Sequence, residues 1–487
     1  MKMSDNTTNK RPNLVLVTTD QQRWDAMSLA GHPELMTPIM DNMAHLGAWC
    51  RRAYSPAPIC CPARHTILTG CEPATNGVLN NMPARIARPN ETLPALLRAA
   101  GYQTAEFGRS MHQHPSHARY GFDFRRNSPI FDHDSEVHTA IRSPNTTERP
   151  HNLPHLLDHA MTTDGYRARP WPYEERFHHT TWTVNATIDF LKTRDMDVPF
   201  FMHVGFVAPH PPLVPPACYY DRYAFQKLTE PVVGDWVTPP ENNALGQDVY
   251  SGYVPLGGPQ IQTSMAGYYG LVNHVDDMLF KLRVALPPNT VVLFCSDHGE
   301  MLGDHHRFRK ALPFEAVTRV PFMCQGPGVP SVAVDEPVSL ADILPTFCEL
   351  AGVAIPAHVE GRSLLPLWRR HAREDGWDGA DFAWRPWVHG EGPATPIHGG
   401  YHYLTDGRTK YIRWGDGSEL LFDVERDPRE TRDLSARPDY AETLAAWRER
   451  LIEKLRDRPE GFVRDGKLVP GVPHEPLLPH ALSLSAE

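Results

Sequence analysis

The stretch ICCPARHTILTG sets a thiol, a proline and a guanidinium at alternate positions: Cys60, Pro62 and Arg64. Proline is tolerated in the first turn of a helix, and ARHTILTG continues as a helix closed by Gly70. Cys60 therefore falls at or just before a helix N-terminus. Free backbone N–H groups and the helix dipole favour negative charge there, so they would lower a thiol pKa or stabilise an oxyanion. Arg64 adds a fixed positive charge one turn later. Taken alone, a cysteine in such a place is more often structural than catalytic. Two carboxylates bring a second chemistry. Asp20, in TTDQQRWD, and Asp297, which precedes His298 in SDHGEMLGDHH, each end an apolar run. Carboxylates from two strand ends can hold a divalent cation, although a lone one is more often a turn or helix cap.

Together these segments resemble the formylglycine-dependent sulfatases of the alkaline phosphatase superfamily, close to the branch of arylsulfatases and phosphonate monoester hydrolases. The resemblance rests on Cys60-x-Pro62-x-Arg64 followed by Thr69-Gly70, on Asp20 and on the Asp297-His298 pair. It implies that a formylglycine-generating enzyme oxidises Cys60 to 3-oxoalanine. One oxygen of the hydrated aldehyde would bind the metal and the other would attack the ester's central atom. The hemiacetal ester so formed would break down by C–O cleavage. The implied metal shell is Asp20, Asp297, His298 and modified Cys60, with Gln21 either a further ligand or a residue that orients substrate. An all-oxygen shell suits Ca²⁺, whereas the imidazole of His298 and an amide at Gln21 tilt the site toward Mn²⁺.

Other residues match the family by motif. Lys310, in DHHRFRKALPFE, corresponds to the lysine that contacts the transferred group. His210, in VAPHPP, corresponds to a candidate general acid, so the implied catalytic set is Cys60, Arg64, His210 and Lys310. Asn81 corresponds to a substrate-binding asparagine, with Asn80 as the register alternative. The chain departs from the family where Gly-Lys-x-His is frequent. Gly108-Arg109-Ser110-Met111-His112 keeps a positive charge in Arg109 and places His112 one residue late; both are expected on the substrate. Arginine is not a neutral swap for lysine, because its planar fork favours bidentate contact. Ala63 replaces a frequent serine, and Cys61 competes with Cys60 for assignment as the modified residue.

These groups need strands and helices to bring them together. Asn13–Thr19, Phe200–Phe206 and Thr290–Cys295 read as short buried strands. Residues 92–101 read as a helix followed by the strand YQTAEF, 263–284 as a helix, and 337–352 as a pair of helices. APHPPLVPP is excluded from helix by its prolines. Strands alternating with helices predict an α/β fold with a large, mostly parallel sheet sandwiched by helices. Ligands in such sheets sit beyond the carboxyl ends of the strands, where Asp20 and Asp297 fall. After about residue 380 the pattern changes. Tyr401–Leu404, Lys410–Trp414 and Glu419–Asp423 read as strands joined by hairpin turns, followed by a helix over 440–456. This predicts a catalytic domain over 1–380, a small antiparallel sheet plus helix over 381–465, and a Pro-rich extended tail over 466–487. The tail points to a surface clasp or a subunit contact, and hence to a dimer or tetramer. The loops of 110–175 and 215–260 are expected to shape the leaving-group pocket.

The bulk composition narrows the classes. With 487 residues the chain can bury a large core without disulfides. Its formal net charge of -10 and the lack of any Lys/Arg stripe argue against a nucleic-acid binder. No apolar run approaches a membrane span, and the polar start, MKMSDNTTNKRPN, has no apolar leader core. A cytoplasmic location with reduced thiols is the expectation, and the expected substrate is a small anionic ester. Three alternatives stand beside sulfate-ester hydrolysis. They are a phosphonate monoester or phosphodiester hydrolase with the same machinery, a binding protein that has lost activity, and a hydrolase using the unmodified Cys60 thiol.

Overall fold

The computed structural model describes residues 11–127, 166–239, 257–373, 383–395 and 398–482. Its centre is an eight-stranded sheet. In chain order the strands are β1 (Asn13–Asp20), β2 (Ala48–Cys50), β3 (Gln103–Gly108), β4 (Phe124–Asn127), β5 (Phe200–Pro209), β6 (Thr290–Ser296), β7 (Phe322–Gln325) and β8 (Val332–Val334). They lie in the order β8-β2-β7-β6-β1-β5-β3-β4. Only β7 runs against its neighbours, so the sheet is mostly parallel, as the alternation of strands and helices predicts.

Side chains alternate across β1. Val15 and Val17 join one apolar cluster, with Met202, Val204 and Phe294. Leu14 and Leu16 join another, with Phe201, Leu293 and Phe347. Both faces are thus buried, which is why these strands read as unbroken apolar runs rather than alternating ones. The first cluster is covered by α4 (His179–Thr193) and α6 (Gly258–Ala285). The second is covered by α2 (Cys60–Thr69), α3 (Leu93–Ala99), α7 (Ile343–Ala351) and α8 (Leu365–Ala372). Helices α1 (Pro38–Leu46) and α5 (Ala217–Ala224) add to the cover of the first cluster through Met40, Met43 and Tyr223. The helix read over 263–284 begins earlier, with Pro259 in its first turn. The region read as two helices over 337–352 differs. Val338–Ser339 pairs with Ala53–Tyr54 as a short strand, and a 3₁₀ turn capped by Ser339 leads into the single helix α7. The β-branched Val338 and a capping box account for that start.

Parallel strands put their C-terminal ends on one edge. Asp297 follows β6, Asp20 ends β1, His210 follows β5 and Arg109 follows β3. These four strands are consecutive in the sheet. Asp20 and Asp297, 277 positions apart, are therefore laid side by side. Glycines let the edge close up: a Cβ on Gly205 would meet the Arg109 carbonyl oxygen at 2.1 Å, and one on Gly108 would meet the Gly205 oxygen at 2.1 Å.

A second, antiparallel sheet follows: β9 (Val388–Thr395), β10 (Gly399–Thr405), β11 (Thr409–Trp414) and β12 (Glu419–Asp423), with α9 (Ala441–Leu455) packed on it. Its other face meets Met301, Phe314 and Val317 of the large unit through Tyr401, Ile412 and Trp414. Buried Lys410 crosses this junction to Glu315 at 3.0 Å. Beyond the sheet the chain turns through a small hairpin and runs back to the large unit. Leu477 bridges Val78, the Pro476 carbonyl accepts from the N–H groups of Leu79 and Asn80, and Leu478 N–H donates to Gly77. The Pro-rich tail is thus a clasp on its own chain.

Candidate active site

Helix α2 carries Cys60 at its first residue and ends at Gly70, whose left-handed backbone (φ 65°) caps it. The helix is buried on nearly every side, Arg64 and His65 included. An arginine can be this deep only if its charge is met. Arg64 Nε and Nη2 lie 3.0 and 2.9 Å from Asp297 Oδ2, Nη2 lies 3.2 Å from Asp20 Oδ2, and Nη1 donates to the Ser110 carbonyl at 3.0 Å. Arg109 Nε reaches the same Asp20 Oδ2 at 2.9 Å.

With both Oδ2 atoms engaged, the Oδ1 atoms face inward. Asp20 Oδ1 lies 3.7 Å from Cys60 Sγ and 3.7 Å from His298 Nε2. Asp297 Oδ1 lies 3.7 Å from His298 Nε2 and accepts the backbone N–H groups of Gln21 and His298. Cys60 Sγ lies 3.3 Å from His298 Nε2. One ligand atom from each of Asp20, Cys60, Asp297 and His298 falls within 4.8 Å of the others, all buried. His298 Nδ1 bonds the Gly299 carbonyl at 2.9 Å, which directs Nε2 into the cluster. A carbonyl partner on the far nitrogen is the usual support for a metal-ligating imidazole. Two carboxylates, an imidazole and the residue-60 side chain are a donor set that could hold a divalent metal ion.

The charges are strongly coupled. Burial opposes ionisation of Asp20, but Arg109, His210, Arg64 and Lys310 outweigh it and hold the carboxyl well below its usual range. Burial and the Asp20 carboxylate push the Cys60 thiol up, yet Lys310 and His298 more than reverse this. Burial alone would strip the His298 proton; Asp297 and Cys60 hold it, to about 9. Cys61 differs from its neighbour: burial, then Cys60, raises its thiol to about 12, and it packs with Val78, Ala84 and Leu477. Geometry therefore places Cys60, not Cys61, in the cluster.

Lys310 Nζ donates to Gln21 Oε1 at 2.8 Å. Burial, then Lys310, keeps His210 well below its ordinary pKa, and its Nδ1 bonds the Pro211 carbonyl at 2.7 Å. Burial, then Arg109 and Arg64, does the same to His112, whose Nε2 has no hydrogen-bond partner among the described residues. Asn81 lies apart and exposed, and its amide oxygen accepts the Cys61 N–H at 2.9 Å, capping α2. The loops expected to line the leaving-group pocket lie partly outside the described residues, over 128–165 and 240–256. Two groups at the site were not singled out from the sequence. Glu300 sits two residues past His298 in the same motif, so its position was a usable signal. Tyr166, 145 residues from the Gln21 it touches, carried none.

The sulfatase family model matches residues 12–353. The chain belongs to the sulfatase family. A second family model, described as N-sulphoglucosamine sulphohydrolase, C-terminal, matches residues 303–457. An arylsulfatase of Clostridium perfringens is 33% identical over 490 residues, covering 95% of this chain and 98% of that one. A multifunctional alkaline phosphatase superfamily protein of Trinickia caryophylli is 26% identical, covering 93% and 99%. Among solved structures, the phosphonate monoester hydrolase of Agrobacterium radiobacter superposes with a TM-score of 0.73 at 25% identity, over 91% of this chain and 95% of that one. This sulfatase is accordingly a sulfuric ester hydrolase of the alkaline phosphatase superfamily.

Proposed function

We propose that the chain hydrolyses sulfate monoesters in the manner of an arylsulfatase, with Cys60 converted to formylglycine and a divalent cation held by Asp20, Asp297, His298 and residue 60. The observation that carries this reading is the convergence of those four side chains within 4.8 Å at a strand-end edge, with Arg64 behind the carboxylates. When present, formylglycine supplies a hydrated hydroxyl as nucleophile, and the cation acts as a Lewis acid on it and on the ester oxygen. The remaining work belongs to the chain's own residues. Arg64 fixes both carboxylates and keeps their Oδ1 atoms directed inward. Lys310 and Arg109 provide fixed positive charge for the sulfate oxygens in a chain of net charge -10. His210 is the general acid that delivers a proton to the departing ester oxygen. Its Nδ1 is engaged by Pro211, so Nε2 is the nitrogen that carries the proton; burial, then Lys310, keeps the free ring neutral, and a bound anion offsets the Lys310 charge.

A second reading keeps the machinery and changes the ester to a phosphonate monoester or phosphodiester. Gln21 in place of a second aspartate and His298 beside Asp297 favour it, as does similarity to a hydrolase of that name. Turnover of 4-nitrophenyl sulfate and of 4-nitrophenyl phenylphosphonate by one preparation separates the two. Both are expected to react; phosphonate turnover larger by several orders of magnitude would reject the sulfate assignment. Mass spectrometry of the peptide containing residues 60 to 64 tests the nucleophile, because an unmodified thiol in an active sample excludes formylglycine. Chelation should abolish activity in either reading and spare a simple thiol hydrolase.

A further inference from the structure

Gln21 follows the end of β1 with a left-handed backbone (φ 72°) and is buried. Its amide is bonded at both ends. Oε1 accepts from Lys310 Nζ at 2.8 Å, while Nε2 donates to Glu300 Oε2 and lies 3.3 Å from the Tyr166 hydroxyl. Neither end can trade roles. An ammonium only donates. Glu300, wholly buried, is met by four donors: the N–H groups of Leu302 and Arg309 on Oε1, and the Tyr166 hydroxyl (2.6 Å) and the Gln21 amide on Oε2. A side chain so surrounded serves only as an acceptor. Turning the amide over would set NH₂ against Lys310 and a carbonyl against the Glu300 carboxylate, losing both bonds at once.

We propose that Glu300 and Tyr166 are positioning residues, which lock the Gln21 amide so that its oxygen, not its nitrogen, faces Lys310. An oxygen there accepts from Lys310 and is a neutral, hard donor available to a cation; a nitrogen there would be neither. The lock explains how a glutamine can stand at this position. A carboxylate presents oxygen whichever way it turns, whereas an amide needs a partner to choose its face. Glu300 is that partner, and the Tyr166 hydroxyl, spent on Glu300, keeps the carboxylate from rotating away. The inference rests on the sulfate-ester reading of the site.

The test exchanges the two partners. Glu300→Gln places a second amide beside Gln21 and leaves its orientation to Lys310 alone. For the EDTA-stripped full-length protein, Mn²⁺ affinity by titration calorimetry should fall about 10- to 100-fold, and so should kcat/KM for 4-nitrophenyl sulfate in the reloaded protein. Gln21→Glu alone sets two carboxylates face to face and should also lose activity. Gln21→Glu combined with Glu300→Gln restores a donor opposite an acceptor with the pair's charge unchanged, and should recover most of either loss. Tyr166→Phe should lower both readouts by less than Glu300→Gln. The inference is overturned if a folded Glu300→Gln, judged by circular dichroism, matches the wild type in both readouts. It is equally overturned if the double variant is as impaired as the two single losses multiplied. Should Glu300→Gln fail to fold, Tyr166→Phe with both readouts unchanged refutes it. A wild-type protein inert toward 4-nitrophenyl sulfate would sink the sulfate-ester reading instead, and the Mn²⁺ series would still decide the positioning.

Discussion

Arg64→Lys keeps the charge of the signature helix and removes its fork. The guanidinium spans both carboxylates, with contacts of 2.9 to 3.2 Å to Asp297 and Asp20 and a fourth bond to the Ser110 carbonyl. A lysine ammonium is one nitrogen on a shorter reach, so it falls short of the Nη2 position that meets both oxygens and forgoes the Nε and Nη1 bonds. One buried carboxylate then loses a charge-assisted hydrogen bond, a cost of about 1.5–3 kcal/mol. Arg64→Ala leaves Asp297 without its arginine and Asp20 with Arg109 alone, and should cost about 3–5 kcal/mol. Urea unfolding followed by tryptophan fluorescence, with EDTA present so that no cation substitutes for the missing charge, reads both values from the first cooperative transition. Mn²⁺ should then stabilise Arg64→Ala more than it stabilises the wild type. Since Asp20 and Asp297 lose their orientation, kcat/KM for an aryl sulfate should drop by about 10- to 100-fold even in Arg64→Lys. If Arg64→Lys unfolds within about 0.5 kcal/mol of the wild type, the scale of an ordinary surface change, the fork does not hold the site.

Asp297→Asn removes one inward oxygen charge and should weaken Mn²⁺ binding, measured by calorimetry, by at least about tenfold; unchanged binding would remove Asp297 from the metal shell. Cys60→Ala should abolish aryl sulfate turnover, whereas Cys61→Ala should leave it near the wild-type value, and the reverse pattern would reassign the nucleophile. Acid should destabilise the fold through its buried histidines. Burial lowers His65 to about 4, His178 to about 3 and His305 to about 4. Their unfolded value is about 6.5, so between roughly pH 6.5 and 4 the unfolded chain binds more protons and stability falls as pH falls. Melting temperatures recorded from pH 7 to 4 should show that slope, and His65→Gln should flatten it; a flat wild-type profile would contradict the assignment.

The strands that matter for the site could be read because they are buried on both faces. No turn residue interrupts LVLVTT or TVVLFC, and each is followed closely by an aspartate, so fold class and both carboxylates of the candidate metal shell are legible in the same two segments. Arg109 was readable as a departure from Gly-Lys-x-His, but its bond to Asp20 depends on two glycines in adjacent strands, which no spacing reveals. Strand β9, VHGEGPAT, was missed because glycine and proline lower strand propensity. Its glycines make room for rings from the next strand: a Cβ on Gly390 would meet Tyr403 at 2.1 Å and one on Gly392 would meet Tyr401 at 2.2 Å. The Gln21 lock was hidden for another reason. It joins Gln21 and Lys310, which the motifs mark, to Glu300 and Tyr166, which they do not, and Tyr166 stands 145 residues from Gln21 and 134 from Glu300.

The clasp between Leu477 and Val78 orders events in time. Cys61 and Val78 share one small apolar cluster with Leu477, immediately behind the nucleophile position. At about 5–20 residues per second, a ribosome reaches Leu477 roughly 20 to 80 seconds after Cys60. Throughout that interval the stretch from Cys61 to Asn81 lacks this part of its cover. Completion of the clasp then closes the interval, so a late-made stretch of chain seals the segment that directly follows Cys60.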